Sequence, residues 1–128
     1  MKKLLFLLLA VMLLTACGQA KENDWEAACM NITAEEAKQI MDTEEGYIIL
    51  DTRTQEEYDE GHIPGAIQIS HDEIEEKADG MLPDKDQLLL VYCRSGRRSK
   101  LAAETLVKLG YTNIKEFGGI IDWPYEWE

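Results

Sequence analysis

Residues 88–99 of the chain read LLLVYCRSGRRS, and this stretch decides the fold. Its first part, residues 88–92, is the most apolar run of the domain and predicts a central strand buried on both faces. Cys93 follows at the strand's end, and a loop containing Gly96 leads into a helical pattern over residues 99–109. A strand, a glycine loop and a helix in this order are typical of an α/β domain.

Strands and helices alternate on both sides of this stretch. Further strands are predicted at residues 29–32, 47–50, 67–70 and 114–117, and further helices after Thr33, after Thr54 and at residues 72–78. This alternation predicts an α/β fold with a mostly parallel central sheet of about five strands and helices on both faces. Ligands of such sheets bind beyond the carboxyl ends of the strands, where residue 93 falls.

Two helix starts carry the same capping signal. Thr33 precedes Glu36 by three residues, and Thr54 precedes Glu57 by three residues. In such a capping box the hydroxyl accepts a backbone N–H of the first turn, and the carboxylate reaches back to the N-cap N–H. Gly61 is expected to end the second of these helices.

Composition excludes several kinds of partner and site. The 128 residues carry a formal net charge of -12, so an acidic surface makes nucleic-acid binding unfavourable. The three cysteines are Cys17, Cys29 and Cys93, and none forms a CxxC pair, so the sequence predicts no metal site.

The N-terminus is typical of an export signal. Lys2 and Lys3 precede an apolar run at residues 4–14, which is too short to span a bilayer. Leu14-Thr15-Ala16-Cys17 resembles the bacterial lipobox, which implies cleavage after residue 16 and lipidation of Cys17. We therefore expect a signal peptide at 1–16, a lipidated tether at 17–28 and a domain at 29–128. The domain would then lie outside the cytoplasm, anchored to the bacterial cell membrane.

Chemistry is concentrated in the segment after the central strand, which contains Cys93, Arg94, Ser95, Gly96, Arg97 and Arg98. Backbone N–H groups of a tight loop and of the following helix N-terminus can converge on the sulfur and stabilise a thiolate. The arginines would attract small anions to an otherwise acidic protein. The alternative, a buried and inert core thiol, requires this basic loop to be accidental.

Four stretches resemble the rhodanese family of sulfurtransferases. They are the loop Cys93-x-x-Gly96-x-Arg98-Ser99, the strand end Asp51-Thr52-Arg53, the segment 61–67 (GHIPGAI), and Phe117-Gly118-Gly119 followed by Trp123. The resemblance implies a rhodanese-like fold. It also implies a Cys93 persulfide that accepts sulfur from an anionic donor such as thiosulfate and passes it to a thiol or cyanide. No metal or organic cofactor is implied.

The length of the loop distinguishes sulfur transfer from phosphatase or arsenate reductase activity, the nearest alternative. Four residues separate Cys93 from Arg98, as in the sulfurtransferases, whereas the related phosphatases and arsenate reductases use five. Two other functions stay open: a non-catalytic rhodanese-like binding module, and a persulfide carrier whose partner is another protein. The acceptor thiol is therefore expected on either a small molecule or a protein.

Several polar residues outside the loop are expected to support the structure. Asp51 is interpreted as a strand-end carboxylate that binds loop amides or an arginine such as Arg53, since thiolate attack needs no separate base. His62 is interpreted as a hydrogen-bonded loop residue. Cys29 is expected to be a small buried thiol, although a disulfide or sulfur exchange with Cys93 stays open. The aromatic C-terminus, Trp123, Tyr125 and Trp127, is expected to pack on the sheet.

Overall fold

A computed structural model describes residues 23–128. The predicted signal peptide at 1–16, the lipidation site Cys17 and the first part of the tether lie outside the described residues. Within residues 23–128 no helix is both long and apolar enough to cross a membrane.

Five parallel strands form one sheet in the order β1-β5-β4-β2-β3. This confirms the predicted α/β fold. The strands are β1 (Cys29–Asn31), β2 (Ile48–Asp51), β3 (Ile67–Gln68), β4 (Leu89–Cys93) and β5 (Ile114–Gly119). The apolar run is the central strand β4, and all five of its residues are buried.

Helices cover both faces of the sheet. They are α1 (Asn23–Ala28), α2 (Ala34–Thr43), α3 (Gln55–Glu60), α4 (Ile74–Met81) and α5 (Arg97–Lys108), with 3-10 turns at His71–Glu73 and Ile120–Asp122. Both predicted capping boxes form, at the start of α2 and of α3. Gly61 follows the last residue of α3, as expected.

Alternate residues of β4 build two separate cores. Leu89 and Val91 pack with α4 and α5 on one face, in a cluster that includes Ala102 and Leu106. On the other face lies a second cluster that contains Leu90, Tyr92, Ala37, Ile40, Phe117 and Trp123. Burial of both faces explains why β4 has an unbroken apolar sequence rather than an alternating one.

The N-terminal boundary of the domain differs from the prediction. The sequence predicts a tether up to residue 28, whereas α1 covers Asn23–Ala28 and Trp25 packs against the first core. Six residues make fewer than two helical turns, too short for a periodic pattern to show. The folded part of the described chain therefore includes Asn23–Ala28.

Several element ends also differ from the predicted ones. Helix α5 begins at Arg97 rather than at residue 99, because Gly96 turns the chain into the helix directly. Strand β5 continues through Gly119, two residues beyond its predicted end, and β3 stops at Gln68 rather than at residue 70.

Candidate active site

Cys93 is the last residue of β4 and is 1% exposed. The backbone N–H of Gly96 donates a hydrogen bond to Cys93 Sγ at 3.0 Å. Gly96 has φ +102°, a left-handed conformation that favours glycine, and α5 begins at the next residue. The chain therefore bends back over the sulfur and brings the Gly96 N–H and the first turn of α5 toward it.

Strand β5 and the turn that follows it contact the backbone of this loop. Gly119 is opposite Cys93 across the β4–β5 pair, just past an irregularity in the register. The backbone N–H of Ile121 donates to the carbonyl oxygen of Arg94 at 3.2 Å. A Cβ on Gly119 would overlap the Arg94 carbonyl and lie 2.6 Å from Ser95 Cα. The loop can take this path only because residue 119 has no side chain.

Replacing Gly119 by Ala is expected to displace the Cys93 loop. The added methyl group overlaps backbone rather than a flexible side chain, so we expect a loss of about 1–3 kcal/mol in the free energy of unfolding. Urea unfolding measures this loss. Gly80→Ala in α4 is the control, because a Cβ there meets no atom within 4 Å. Equal stability of the two variants would contradict the prediction.

A buried carboxylate that the sequence analysis did not identify lies beside the same loop. Glu116 of β5 is 4% exposed and accepts from Ser99 Oγ at 2.7 Å, Asn31 Nδ2 at 2.7 Å and the Gly118 N–H at 2.9 Å. These bonds tie β1, β5 and the first turn of α5 together. The signal in the sequence is the alternation in the strand run Ile114-Lys115-Glu116-Phe117, which places Glu116 on the same face as the apolar Ile114.

The three arginines of the loop have different surroundings. Arg94 and Arg97 are exposed, whereas Arg98 is partly buried. Arg98 Nη1 and Nη2 donate to Glu57 Oε1 at 2.6 Å and Oε2 at 2.9 Å. The hydrogen bond to Glu57 is the main reason why the pKa of Arg98 is raised, and the nearby Cys93 adds to it.

Asp51 and Arg53 form a buried ion pair at the end of β2. Asp51 is fully buried and accepts from Arg53 Nη2 at 2.7 Å, from the Arg53 backbone N–H at 2.9 Å and from Tyr92 Oη at 2.6 Å. Arg53 Nη2 also donates to the carbonyl oxygen of Gly61 at 2.6 Å. These contacts join the end of β2 to the segment that follows α3.

Tyr92 stays protonated in this cluster. Burial raises the pKa of Tyr92 far above its ordinary value, and the Asp51 carboxylate raises it further. Burial acts to lower the pKa of Arg53, but the hydrogen bonds and charge of Asp51 outweigh it, so this pKa rises. Asp51 therefore favours the charged form of Arg53 inside the protein.

His62 contacts α3 and the C-terminus. Its ring stacks on Tyr58 with a centroid distance of 3.8 Å, and Nδ1 lies 3.0 Å from the Tyr58 carbonyl oxygen. Its backbone exchanges two hydrogen bonds with Glu128. These contacts tie the segment between α3 and β3 to helix α3 and to residue 128.

Cys29 lies too far from Cys93 for a disulfide. It is opposite Ile114 at the start of β5, whereas Cys93 is opposite Gly119 at the end of that strand. Five residues of strand correspond to about 16 Å, and a disulfide requires Cα atoms within about 7 Å. Cys29 is partly rather than fully buried, because β1 is an edge strand of the sheet. This partial burial, together with Glu116 and Glu104, raises the pKa of Cys29 to about 11, so it is a protonated thiol at neutral pH.

The C-terminal aromatic residues do not share one environment. Trp123 is buried against Phe117, with ring centroids 5.5 Å apart, and Tyr125 packs on Trp123 at 4.9 Å. Trp127 is 52% exposed. It lines an open cavity of about 380 Å³ together with Arg94 and Ile121, beside the Cys93 loop. The prediction that all three pack on the sheet is wrong for Trp127.

Comparison with known proteins identifies the class of this domain. A family model described as a rhodanese-like domain matches residues 33–124. The chain is 40% identical over 73 residues to the thiosulfate sulfurtransferase PspE of Escherichia coli (strain K12), covering 57% of this chain and 70% of PspE. The chain belongs to the rhodanese-like sulfurtransferase family.

Another relative and a solved structure agree with this assignment. The chain is 41% identical over 93 residues to YrkF of Bacillus subtilis (strain 168), covering 72% of this chain but only 49% of that protein, about half its length. A structure titled as a rhodanese with anions from E. coli superposes with a TM-score of 0.60 at 35% identity. That match covers 64% of this chain and 96% of the solved one.

Proposed function

We propose that this protein is a sulfurtransferase that moves sulfane sulfur from an anionic donor such as thiosulfate to a thiol or cyanide acceptor. The observation that carries the proposal is the position of Cys93 Sγ, 3.0 Å from the Gly96 N–H at the N-terminal end of α5. A sulfur atom in this position is stabilised as an anion both before and after it gains a second sulfur.

The reaction proceeds in two displacements. The Cys93 thiolate attacks the outer sulfur of thiosulfate, an S–S bond forms to Cys93, and the electron pair of the broken bond leaves with sulfite. A thiolate or cyanide then attacks the outer sulfur, and Cys93 leaves as a thiolate. The exposed Arg94 and Arg97 are available to attract the anionic donor. The acceptor is a small molecule or a protein.

Mass spectrometry of the full chain after thiosulfate treatment tests the proposal. We expect a gain of one sulfur atom that cyanide removes and that peptide mapping locates on Cys93. The Cys29→Ser variant is the control and should gain the same adduct. If reduced protein gains no sulfur on Cys93, the donor is not thiosulfate, and a non-catalytic binding role becomes the better explanation.

We also propose that lipidated Cys17 anchors the domain to the outer face of the bacterial cell membrane. The proposal rests on the charged start, the apolar run and the lipobox-like end of residues 1–17. Two acyl chains suffice for stable attachment. Cell fractionation should find the wild type with membranes and the Cys17→Ser variant in the soluble fraction. Membrane association of both would contradict the proposal.

A further inference from the structure

A bidentate ion pair joins two helices beside the Cys93 loop. Glu57 belongs to the first turn of α3 and Arg98 to the first turn of α5, 41 residues later. Their two hydrogen bonds, at 2.6 and 2.9 Å, use both carboxylate oxygens and both terminal guanidinium nitrogens. This fork geometry fixes the plane of the guanidinium as well as its position.

The Glu57 carboxylate is itself held in place by its own helix. Glu57 is the third residue of α3 and forms the capping box together with Thr54. Its backbone N–H donates to Thr54 Oγ1 at 3.2 Å, and its Oε1 accepts from Thr54 Oγ1 at 3.1 Å. The hydrogen bond from Arg98 is the main cause that lowers the pKa of Glu57 to about 2. The carboxylate is therefore ionised throughout the pH range in which a sulfur transfer is assayed.

Of the three loop arginines, Arg98 is the one whose side chain is partly buried. It lies one residue before the buried Ser99 and two residues after Gly96, whose N–H contacts Cys93 Sγ. Cys93 is among the groups that raise the pKa of Arg98. The side chains of Arg94 and Arg97 are both exposed.

We propose that Glu57 is a positioning residue of the candidate active site, which holds the Arg98 guanidinium in one orientation beside Cys93 and cancels its charge toward an incoming anionic donor. This inference rests on the proposed sulfurtransferase function. The guanidinium then remains near the reacting sulfur atoms and does not bind the donor's sulfonate.

Three other basic side chains near the loop still attract anions when Glu57 neutralises the charge of Arg98. Arg94, Arg97 and Lys100 are exposed, and within residues 23–128 no ion pair to a carboxylate involves any of them. They attract the donor, while Arg98 is fixed. Without Glu57, Arg98 would become a fourth free cation that competes for the sulfonate and holds the donor away from in-line attack.

Glu57→Gln tests this role without removing the helix cap, because Gln also serves at the third position of a capping box. We expect the KM for thiosulfate to fall roughly threefold at low salt and kcat to fall about tenfold, since a misplaced group near the reacting atoms slows the chemical step. The change in KM should shrink at high ionic strength, because it arises from exposed charge. A merely structural role would not produce opposite effects on affinity and rate.

Glu56→Gln is the matched control. Glu56 lies in the same helical turn and is exposed, and within residues 23–128 its carboxylate takes part in no ion pair. The Glu56→Gln substitution removes the same charge as Glu57→Gln and should leave KM and kcat within about twofold of the wild-type values. If Glu57→Gln behaves like Glu56→Gln, or if it raises KM together with a loss of thermal stability, the positioning role is wrong.

Wild-type activity separates this inference from the proposed function. An inactive wild type would refute sulfur transfer from thiosulfate itself. An active wild type with no difference between the two glutamine variants would refute only the role of Glu57.

Discussion

Replacing Cys93 by Ser is expected to lower the rate of sulfur transfer from thiosulfate to cyanide by at least about 10³-fold. A serine hydroxyl is not ionised at neutral pH, and an oxygen cannot carry sulfane sulfur as a persulfide. The steady-state rate of thiocyanate formation measures the effect. Ser can still accept the hydrogen bond that the Gly96 N–H gives to Cys93 Sγ, so the variant should keep the wild-type fold.

Cys29→Ser is the control for this loss. Cys29 pairs with the start of β5, at the opposite end of that strand from the Cys93 loop, and its raised pKa keeps it protonated. Replacing it should therefore leave the rate of sulfur transfer within about twofold of the wild-type rate. Circular dichroism of Cys93→Ser checks that the fold is intact. A folded Cys93→Ser variant that keeps a tenth of the activity would show that another group carries the sulfur.

Replacing Asp51 by Ala is expected to give the largest loss of stability, about 3–5 kcal/mol in the free energy of unfolding. The change leaves Arg53 charged and 5% exposed, with the Gly61 carbonyl oxygen as its remaining acceptor. It also removes the acceptor of the Tyr92 hydroxyl, a second buried donor. Urea unfolding at neutral pH, followed by circular dichroism, measures the loss.

The double variant Asp51→Ala with Arg53→Met shows whether an unpaired charge causes that loss. Removing both charges replaces the ion pair by apolar atoms, which is tolerated better than leaving one charge alone. We therefore expect the double variant to be more stable than Asp51→Ala. If the single variant loses less than 1 kcal/mol, water reaches Arg53 and the pair contributes little.

The features that the sequence predicted correctly are local ones. The apolar run at 88–92 became β4, and both capping boxes formed where Thr33 and Thr54 stand. Each of these signals depends on residues within one strand or one helical turn. The loop at Gly96 belongs to the same group, because a glycine between a strand and a helix marks a turn, whereas its left-handed φ is a finding of the structure.

Contacts between residues that are far apart in sequence could not be predicted from it. Glu57 was identified as a helix cap, but its bond to Arg98 depends on how α3 and α5 are placed on the sheet. The sequence predicts that Trp127 packs on the sheet like Trp123, whereas its ring lies beside Gly61 and is 52% exposed. Neither arrangement leaves a periodic pattern in the sequence.

The sequence by itself determined the parallel α/β order, the strand that ends in Cys93 and the basic glycine loop after it, because strand burial, capping and turns depend on neighbouring residues. Only the tertiary structure decided which groups surround that loop. Strand β5 brings Gly119 and Glu116 against it, and α3 brings Glu57 to Arg98. These contacts depend on the strand order and register of the folded sheet, and so they appear only when the sheet and its helices are assembled.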